Sequence, residues 1–332
     1  MFGGRSHILK GSVSLALVIL ILLVVILLVS EENRLSTSYL FDIKSQFSPS
    51  SSSSSVCNFA KGKWVKDRKR PLYSGFECNQ WLSTMWACRI MGRPDFSFEG
   101  YRWQPQGCNM PHFDRFTFLT RMQNKTIAFI GDSLGRQQFQ SLMCMASGGK
   151  DSPDVQNVGW EYGLVKAKGN HWVMHVNGTR VQGEYLKDIK NAKDFTIHSV
   201  VKWLDAELPL HPRLKAFFRT ISPRHFKNGD WNTGGNCNNT VPLSRGGEIT
   251  GDDGSIDTTV ESAVNGTRIK ILDITALSEL RDEAHISGSK LKPRKPKKAS
   301  SNVTTTPVIN DCLHWCLPGI PDTWNELFIA QI

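Results

Sequence analysis

The chain has 332 residues and a formal net charge of +10 at pH 7, with 40% hydrophobic and 21% charged residues. This composition is enough to build a buried core and an ordinary soluble surface, so it excludes a wholly disordered chain. Six of the positive charges lie in the Pro-broken tract at residues 290–298 (KLKPRKPKK), which leaves the remainder close to neutral. A nucleic-acid interface would need basic residues interleaved with aromatics across a folded face, and no such face is visible beyond this Pro-broken tract, so the sequence indicates no nucleic-acid partner.

Residues 12–30 (SVSLALVILILLVVILLVS) predict a transmembrane anchor because they carry no charge. At about 1.5 Å rise per residue, a helix of this length covers roughly one hydrocarbon core. Arg5 and Lys10 precede it and two glutamates follow it, so the positive-inside rule predicts a cytosolic tail at residues 1–11 and a lumenal remainder, which is type II topology. A cleaved signal peptide is the alternative, but its apolar region is normally shorter. The short span favours an early secretory membrane, and we expect the Golgi.

A Ser-rich stretch at residues 31–56 predicts a flexible stem with little to bury. All eight cysteines follow it, in the part of the chain that the predicted topology places in an oxidising compartment. An even number of cysteines there predicts four disulfides, although arithmetic leaves their pairing open. Five Asn-x-Ser/Thr triplets agree with a lumenal location and are candidate glycosylation sites: Asn124, Asn177, Asn238, Asn265 and Asn302.

The remaining residues, 57–332, are predicted to form one α/β domain. Lys125–Ile130 is a short apolar run that predicts a strand; it leads through a Gly-Asp-Ser turn into a stretch whose apolar residues fall at helical spacing, at residues 134–145. Further strands are expected at Arg268–Ile274 and Lys215–Thr220, and a helical stretch at residues 275–285.

Ser133 would lie where a strand ends and a helix begins, so that its hydroxyl is exposed and nearby backbone N–H groups can hold an oxyanion. A Gly-Asp-Ser triplet alone is weak, because Gly and Asp are common in turns and Ser is a good N-cap. A partner is found near the C-terminus, where Asp311 and His314 are three residues apart. In a turn, Asp311 can fix the tautomer of His314 while His314 takes the Ser133 proton.

Two other interpretations of residues 311–316 compete with the triad. Cys312, His314 and Cys316 are possible zinc ligands, but secretory thiols tend to oxidise and no second Cys/His pair is spaced to complete the set, so we predict no metal. Alternatively, the segment is a structural loop held by two disulfides with His314 on its surface. Such ties are compatible with catalysis, since they would hold a triad turn rigidly.

Several ordered blocks of the sequence together resemble the plant trichome birefringence-like family of wall polysaccharide O-acetyltransferases, which are similar to GDSL/SGNH hydrolases. They cover nearly all of the predicted lumenal part. The first is a Cys-rich region at Cys57–Asp114, which includes the blocks Cys88–Cys108 and Met110–Asp114. Four further blocks follow in chain order: Ile130–Gln138, Phe217–Cys237, Ile274–His285 and Asp311–Phe328.

The resemblance implies an SGNH-hydrolase-like parallel sheet flanked by helices (residues 121–332), with an N-terminal Cys-rich subdomain (residues 57–120). By position, Ser133 matches the nucleophile, His314 the base and Asp311 the orienting acid. The resemblance also implies a disulfide pairing: Cys57–Cys108, Cys78–Cys144, Cys88–Cys316 and Cys237–Cys312.

The chain departs from the family pattern between Cys144 and Arg219. The resemblance leads us to expect a buried strand and an Asn-Thr-Gly-x-x-Trp-like block there, and neither is present. The junction at Gly169-Asn170 reads as the front of one block joined to the back of another. We therefore expect several tens of residues to be absent, and with them a strand beside the catalytic turn.

The expected function is transfer of an acetyl group through an acyl-serine to a wall polysaccharide such as xylan, xyloglucan, mannan or pectin. No bound cofactor is expected, and the acetyl donor is a co-substrate that the sequence does not identify. With water as acceptor, the same triad would act as an esterase. A third alternative is a non-enzymatic wall-polysaccharide binder, in which residues 290–298 attract uronates and Trp103, Trp231 or Trp315 stack on sugars.

Overall fold

The computed structural model describes residues 57–150, 155–162, 164–166, 172–174, 189–243, 257–290 and 308–332. The predicted tail, anchor and stem, the Gly169-Asn170 junction and residues 291–298 of the basic tract lie outside this description. Among the described residues, no helix is both long and apolar enough to span a bilayer. Residues 57–332 form one compact unit, which begins at the first cysteine.

The described part of the chain contains six α-helices and eight strands. The helices are α1 (Arg115–Met122), α2 (Ser133–Ser147), α3 (Ile189–Glu207), α4 (Thr258–Val264), α5 (Thr275–Glu279) and α6 (Ile320–Gln331). The strands are β1 (Gly62–Lys66), β2 (Tyr101–Pro105), β3 (Leu164–Lys166), β4 (Trp172–Met174), β5 (Phe217–Arg219), β6 (Lys270–Leu272), β7 (His285–Lys290) and β8 (Val308–Trp315). Short 3-10 turns occur at Thr84–Trp86, Ser97–Gly100, Gly159–Tyr162, Leu208–Leu210 and Asp282–Ala284.

The strands pair two by two in the described residues, as β1–β2, β3–β4, β5–β6 and β7–β8. β5 and β6 run parallel, with Phe218 opposite Ile271, and the other three pairs are antiparallel. The expected strands at Lys215–Thr220 and Arg268–Ile274 are thus present in shortened form. An α/β domain with a parallel pair agrees with the expected fold class, although the described residues do not extend this pair into a wider sheet.

The strand predicted at Lys125–Ile130 is wrong, because none of the described strands includes these residues. Ile127 and Phe129 pack against the small cluster of Phe118, Leu142 and Ala146. Ile130, by contrast, is 63% exposed. A strand forms only when its N–H and C=O groups find a neighbouring strand, and apolar β-branched residues do not supply one by themselves.

The principal core lies between the Cys-rich part and the C-terminal elements. Trp64, Trp103, Trp315 and Trp324 are among its largest fully buried side chains. Their indole N–H groups have partners: that of Trp64, for example, donates to the Leu277 carbonyl at 2.9 Å. Buried indoles with satisfied N–H groups fix the orientation of the elements that carry them, so the core sets β1, β2, β8 and α6 in one arrangement.

A second, smaller core lies between α3, α4 and β6. Its buried members are short aliphatic side chains, namely Ile197, Val201, Leu208, Val260, Ala263, Val264 and Ile269. The same helix α3 also exposes large apolar side chains, and Trp203 is 50% exposed. This part of the molecule is therefore covered less completely than the core around the four tryptophans.

Candidate active site

Ser133 is the first residue of α2, as the Gly-Asp-Ser turn predicts. Asp132 caps the helix: its carboxylate accepts the backbone N–H groups of Leu134 at 3.0 Å and Gly135 at 3.3 Å. The cap places the half-buried Ser133 at the N-terminal end of the helix. It also means that two of the backbone N–H groups near Ser133, where the sequence analysis looked for oxyanion donors, already have an acceptor.

Asp311 and His314 lie in an interruption of the β7–β8 ladder. Ile286 pairs with Asp311 and His285 with Trp315, so the three residues between Asp311 and Trp315 have no partner on β7. The Asp311 carboxylate accepts the backbone N–H groups of Leu313 at 3.1 Å and His314 at 3.0 Å. An Asx turn of this kind makes the strand bulge between Asp311 and Trp315, which gives the local turn that the Asp-x-x-His spacing suggested.

The three residues meet in one hydrogen-bonded chain. His314 Nε2 lies 2.8 Å from Ser133 Oγ, and His314 Nδ1 lies 2.8 Å from Asp311 Oδ2. Both distances fit strong hydrogen bonds. With Nδ1–H donated to the carboxylate, Nε2 presents its lone pair to the serine hydroxyl, which is the tautomer that a general base needs.

The electrostatics of Asp311 suit the role of an ionised acceptor. Burial raises the pKa of its carboxyl, but the hydrogen bond and charge of His314, with the N–H groups of His314 and Leu313, outweigh burial and hold the pKa below its usual value. The carboxylate is therefore available to stabilise an imidazolium on His314.

The Cys-rich part holds one face of the His314 imidazole. The Trp86 ring stacks on His314 with ring centroids 5.8 Å apart. The Arg136 guanidinium also lies over the Trp86 ring, 5.2 Å from the ring centroid. The backbone N–H of Leu317 donates to the Trp86 carbonyl at 2.9 Å. Trp86 thus limits the freedom of His314 and of the chain that follows it.

Gln137 joins the nucleophile helix to the histidine turn. It lies one helical turn after Ser133 and is fully buried. Its side-chain amide donates to the Trp315 carbonyl at 2.7 Å and accepts the Trp315 backbone N–H at 3.1 Å. Because Trp315 follows His314, this pair of bonds sets the distance between the serine and the histidine.

Four disulfides are present, and they are the four pairs that the family resemblance implies: Cys57–Cys108, Cys78–Cys144, Cys88–Cys316 and Cys237–Cys312. Two of them flank His314, at Cys312 and Cys316. Since both sulfurs are used in disulfides, the alternative of a zinc site built on these cysteines is wrong.

The other residues that the sequence pointed to fall in different surroundings. Trp103 and Trp315 are fully buried, so neither can stack on a sugar, whereas Trp231 is 72% exposed. Asn124, Asn238 and Asn265 are exposed, while Asn177 and Asn302 lie outside the described residues.

Sequence reasoning missed Trp86, Gln137 and a pair of buried histidines, His225 and His285. For Gln137 a signal was present, because residues i and i+4 share one face of a helix. The contacts of Trp86 and of the histidines join segments far apart in the chain, and no local pattern announces them.

Comparison with known proteins places these observations in a family. Residues 110–188 and 160–331 match the GDSL/SGNH-like acyl-esterase family found in Pmr5 and Cas1p, and residues 55–109 match the PMR5 N-terminal domain. The chain is 73% identical to Protein trichome birefringence-like 14 of Arabidopsis thaliana over 410 positions, covering all of both chains. It is 58% identical to Protein trichome birefringence-like 15 of Arabidopsis thaliana over 409 positions, covering 100% of this chain and 80% of that one. Xyloglucan O-acetyltransferase 1 of Populus trichocarpa is 29% identical over 354 positions, covering 83% of this chain and 81% of that protein.

The alignment lengths bear on the expected gap. The first alignment takes in all 332 residues of this chain over 410 positions, so at least 78 positions of it lie opposite gaps here. The acyl-esterase family also matches in two pieces that overlap at residues 160–188, an interval that contains Gly169-Asn170. Both observations support an internal segment that relatives carry and this chain lacks.

Proposed function

Because the chain belongs to the trichome birefringence-like family, we propose that it is an O-acetyltransferase acting on hydroxyl groups of plant cell-wall polysaccharides through an acyl-serine. The observation that carries the proposal is the hydrogen-bonded chain from Ser133 through His314 to Asp311. The family relation favours acetyl transfer, and a relative named for xyloglucan favours a polysaccharide acceptor.

The proposed reaction has two halves. Ser133 Oγ attacks the acetyl carbonyl of the donor while its proton passes to His314 Nε2, and the donor's leaving group departs with that proton. A sugar hydroxyl then gives its proton to His314 and attacks acetyl-Ser133, and the serine recovers the proton as the sugar ester leaves. Asp311 stabilises the imidazolium in both halves.

The test is mass spectrometry of the purified lumenal domain after incubation with an acetyl donor and a panel of xylan, xyloglucan, mannan and pectin oligosaccharides. The expected result is one acetyl group on Ser133 and an acetylated oligosaccharide. Ser133→Ala should lose both while remaining secreted, because it removes one hydroxyl at the N-terminal end of α2. Ser97→Ala removes an exposed hydroxyl of the Cys-rich part and should keep both. Transfer that survives Ser133→Ala would refute the triad.

Two alternatives are separated by the same experiment. An esterase would release acetate and leave every oligosaccharide unmodified, since water would be its acceptor. A non-enzymatic binder is favoured by one observation, the exposed Trp231, which is presented on a hairpin closed by two bonds between Lys227 and Asn236. A binder would lose polysaccharide retention with Trp231→Ala and be unaffected by Ser133→Ala.

The proposal includes a location. A Golgi membrane protein of type II topology, with the acetyl-transferring domain in the lumen and glycans on exposed sequons, agrees with four disulfides in residues 57–332. Protease protection of the domain in intact Golgi vesicles, lost on adding detergent, is the expected result. Digestion without detergent would contradict the topology.

A further inference from the structure

Two buried histidines lie directly behind the catalytic turn and take no part in the acyl-transfer steps. His285 is the first residue of β7 and is fully buried, and His225 lies in the segment after β5 and is 8% exposed. The His285 ring stacks on Trp315 with centroids 3.9 Å apart, and the His225 ring meets the edge of the same indole at 5.9 Å. Both imidazoles are therefore held by the residue that follows His314.

The two rings form a continuous chain of polar contacts that ends on the catalytic histidine. The carbonyl oxygen of Glu279 lies 3.1 Å from His225 Nε2. His225 Nδ1 lies 2.7 Å from His285 Nε2. His285 Nδ1 lies 2.9 Å from the carbonyl oxygen of His314. Each separation is within hydrogen-bond distance.

The number of protons that these three hydrogen bonds need sets the charge of the two imidazoles. A carbonyl oxygen only accepts, so the contact at each end needs a proton on the imidazole nitrogen. The contact between the two rings needs one more proton. Three protons are required, whereas two neutral imidazoles carry only two. All three hydrogen bonds exist together only when the pair holds one extra proton and a positive charge.

The surroundings place that charge on His225. Burial and the neighbouring His225 lower the pKa of His285 to about 3, so His285 stays neutral. The Glu279 carboxylate lies 3.6 Å from His225 Nε2 and is half exposed, where it can pair with an imidazolium. The other charged groups that act on His285 are Asp311, which favours its charged form, and Arg93, which opposes it.

We propose that His225 and His285 are positioning residues that fix the main chain of His314 through this three-proton chain, and that losing the extra proton loosens the catalytic turn. The proposal rests on the proposed acyl-transfer function for its catalytic consequence, but the charged state of the pair is a property of the fold alone. It predicts that modification of the Ser133 hydroxyl slows when the histidine pair loses its extra proton.

The state of the pair is tested without any substrate. In the lumenal domain labelled with ¹⁵N-histidine, NMR at about pH 6 should find one imidazole with both nitrogens protonated, and its signals should disappear in His225→Gln. The second ring, that of His285, should keep one unprotonated nitrogen at every pH at which the protein is folded. If both rings carry one proton each at every pH at which the protein is folded, the proposal is wrong.

The catalytic consequence is tested by the rate at which a fluorophosphonate probe modifies Ser133, which needs the His314 base and no acetyl acceptor. Glu279→Gln removes the carboxylate beside His225, so the alkaline limb of the rate profile should move to lower pH by about 0.3–0.7 unit, the range for a half-exposed ion pair. Glu77→Gln removes an exposed carboxylate of the Cys-rich part and should leave the profile unchanged. An alkaline limb that does not move would overturn the proposal.

Two substitutions of His285 separate positioning from simple structural support. In His285→Asn the amide N–H replaces Nδ1–H and keeps the bond to the His314 carbonyl, whereas His285→Gln places its amide towards His225. If the chain positions His314, the Asn variant should be modified several-fold faster than the Gln variant at equal loss of thermal stability. Rates that follow stability in both variants would contradict positioning. Because labelling and NMR need no acetyl transfer, a failure of the proposed function remains distinguishable from a failure of this inference.

Discussion

The residues around Ser133, His314 and Asp311 differ from those around the parallel strands β5 and β6 in how far disulfides and buried side chains fix their positions. The first group, which we call the triad framework, comprises residues 57–114, α2, β7, β8 and α6. All four disulfides have at least one cysteine in it, and four of its six tryptophans are fully buried. The second group, the sheet layer, comprises α3, β5, α4 and β6; its strands are three residues long, and nearby Leu210 is 70% exposed.

The difference indicates that the geometry of the hydrogen-bonded chain from Ser133 through His314 to Asp311 depends little on the sheet. Ser133 and His314 are joined by Gln137 and Trp86, which belong to the triad framework, and by cross-links that each have at least one cysteine in it. A parallel sheet, in contrast, is stable only when its strands are flanked and covered, and Lys125–Ile130 has no strand beside it in the described residues. The gap expected at Gly169-Asn170 precedes α3, the first element of this layer.

The largest effect is expected from completing the sheet layer. Inserting the corresponding segment of a relative at Gly169-Asn170 should give Lys125–Ile130 a neighbouring strand and raise the free energy of unfolding by about 3 kcal/mol or more, since Ile130 is exposed and fully burying a large apolar side chain is worth about 1.5–3 kcal/mol. Urea unfolding and the yield of secreted protein are the measurements. A Gly/Ser insert of equal length is the control and should raise neither. If the natural segment does no better than the control, the gap is not a structural loss.

The next effect tests the triad framework. Cys316→Ser removes the tie beside His314 and should lower the free energy of unfolding by about 2–5 kcal/mol. It should also slow probe modification of Ser133, because the catalytic turn loses its anchor to Cys88. Cys57→Ser breaks a bridge within the Cys-rich part and serves as the comparison: we expect lower stability in urea but an unchanged labelling rate in the fraction that is folded. Equal rates of Ser133 labelling in the two folded variants would contradict the idea that the triad framework fixes the turn carrying His314.

A smaller effect is expected at Gln137. Gln137→Ala leaves the N–H and C=O groups of Trp315 without their side-chain partner, at a cost of about 2–4 kcal/mol for two buried groups. Ser133 labelling should fall further than stability alone explains, as the spacing of serine and histidine is no longer fixed. Gln106→Ala changes an exposed glutamine and should alter neither quantity. Full labelling in folded Gln137→Ala protein would contradict this role.

The smallest effect is a dependence on pH at Asp322, which joins α6 to α2 in the framework. Its carboxylate accepts from Ser141 Oγ at 2.6 Å and Tyr73 Oη at 2.9 Å, yet burial raises its pKa from 3.8 to about 6. The folded protein therefore binds this proton more tightly than the unfolded chain does. The contribution of this proton to the free energy of unfolding is complete below about pH 4 and is lost as the pH rises to about 6.

Urea unfolding between pH 4 and 7 measures this dependence. The side chain in Asp322→Asn cannot titrate, so the variant's free energy of unfolding should fall less steeply with pH than that of the native protein. The difference between the two proteins should change by at most about 3 kcal/mol between pH 4 and 7. Parallel curves for the two proteins would show that Asp322 does not carry the dependence.

Residues 311–314 could be interpreted from sequence because the chemistry there is local: three residues separate a carboxylate from an imidazole, and Asp311 folds the turn with its own side chain. The Gly-Asp-Ser turn was readable for the same reason, since Asp132 caps the helix that Ser133 begins. The Lys125–Ile130 strand failed because its outcome depends on a neighbour elsewhere in the chain. His225 and His285, 60 residues apart, became visible as a pair only when the fold placed their nitrogens 2.7 Å from each other.

The Cys88–Cys316 bridge has a consequence for biosynthesis. Its two cysteines are separated by 228 residues, and at about 5–20 residues per second the ribosome needs roughly 10–50 s to make the chain between them. During that time Cys88 meets the thiols of Cys57, Cys78, Cys108 and Cys144, all available before its native partner. Any early pair that Cys88 forms with one of these must be exchanged before the native bridge can close, and the bridge can lock the turn that carries His314 only after Cys316 has been synthesised.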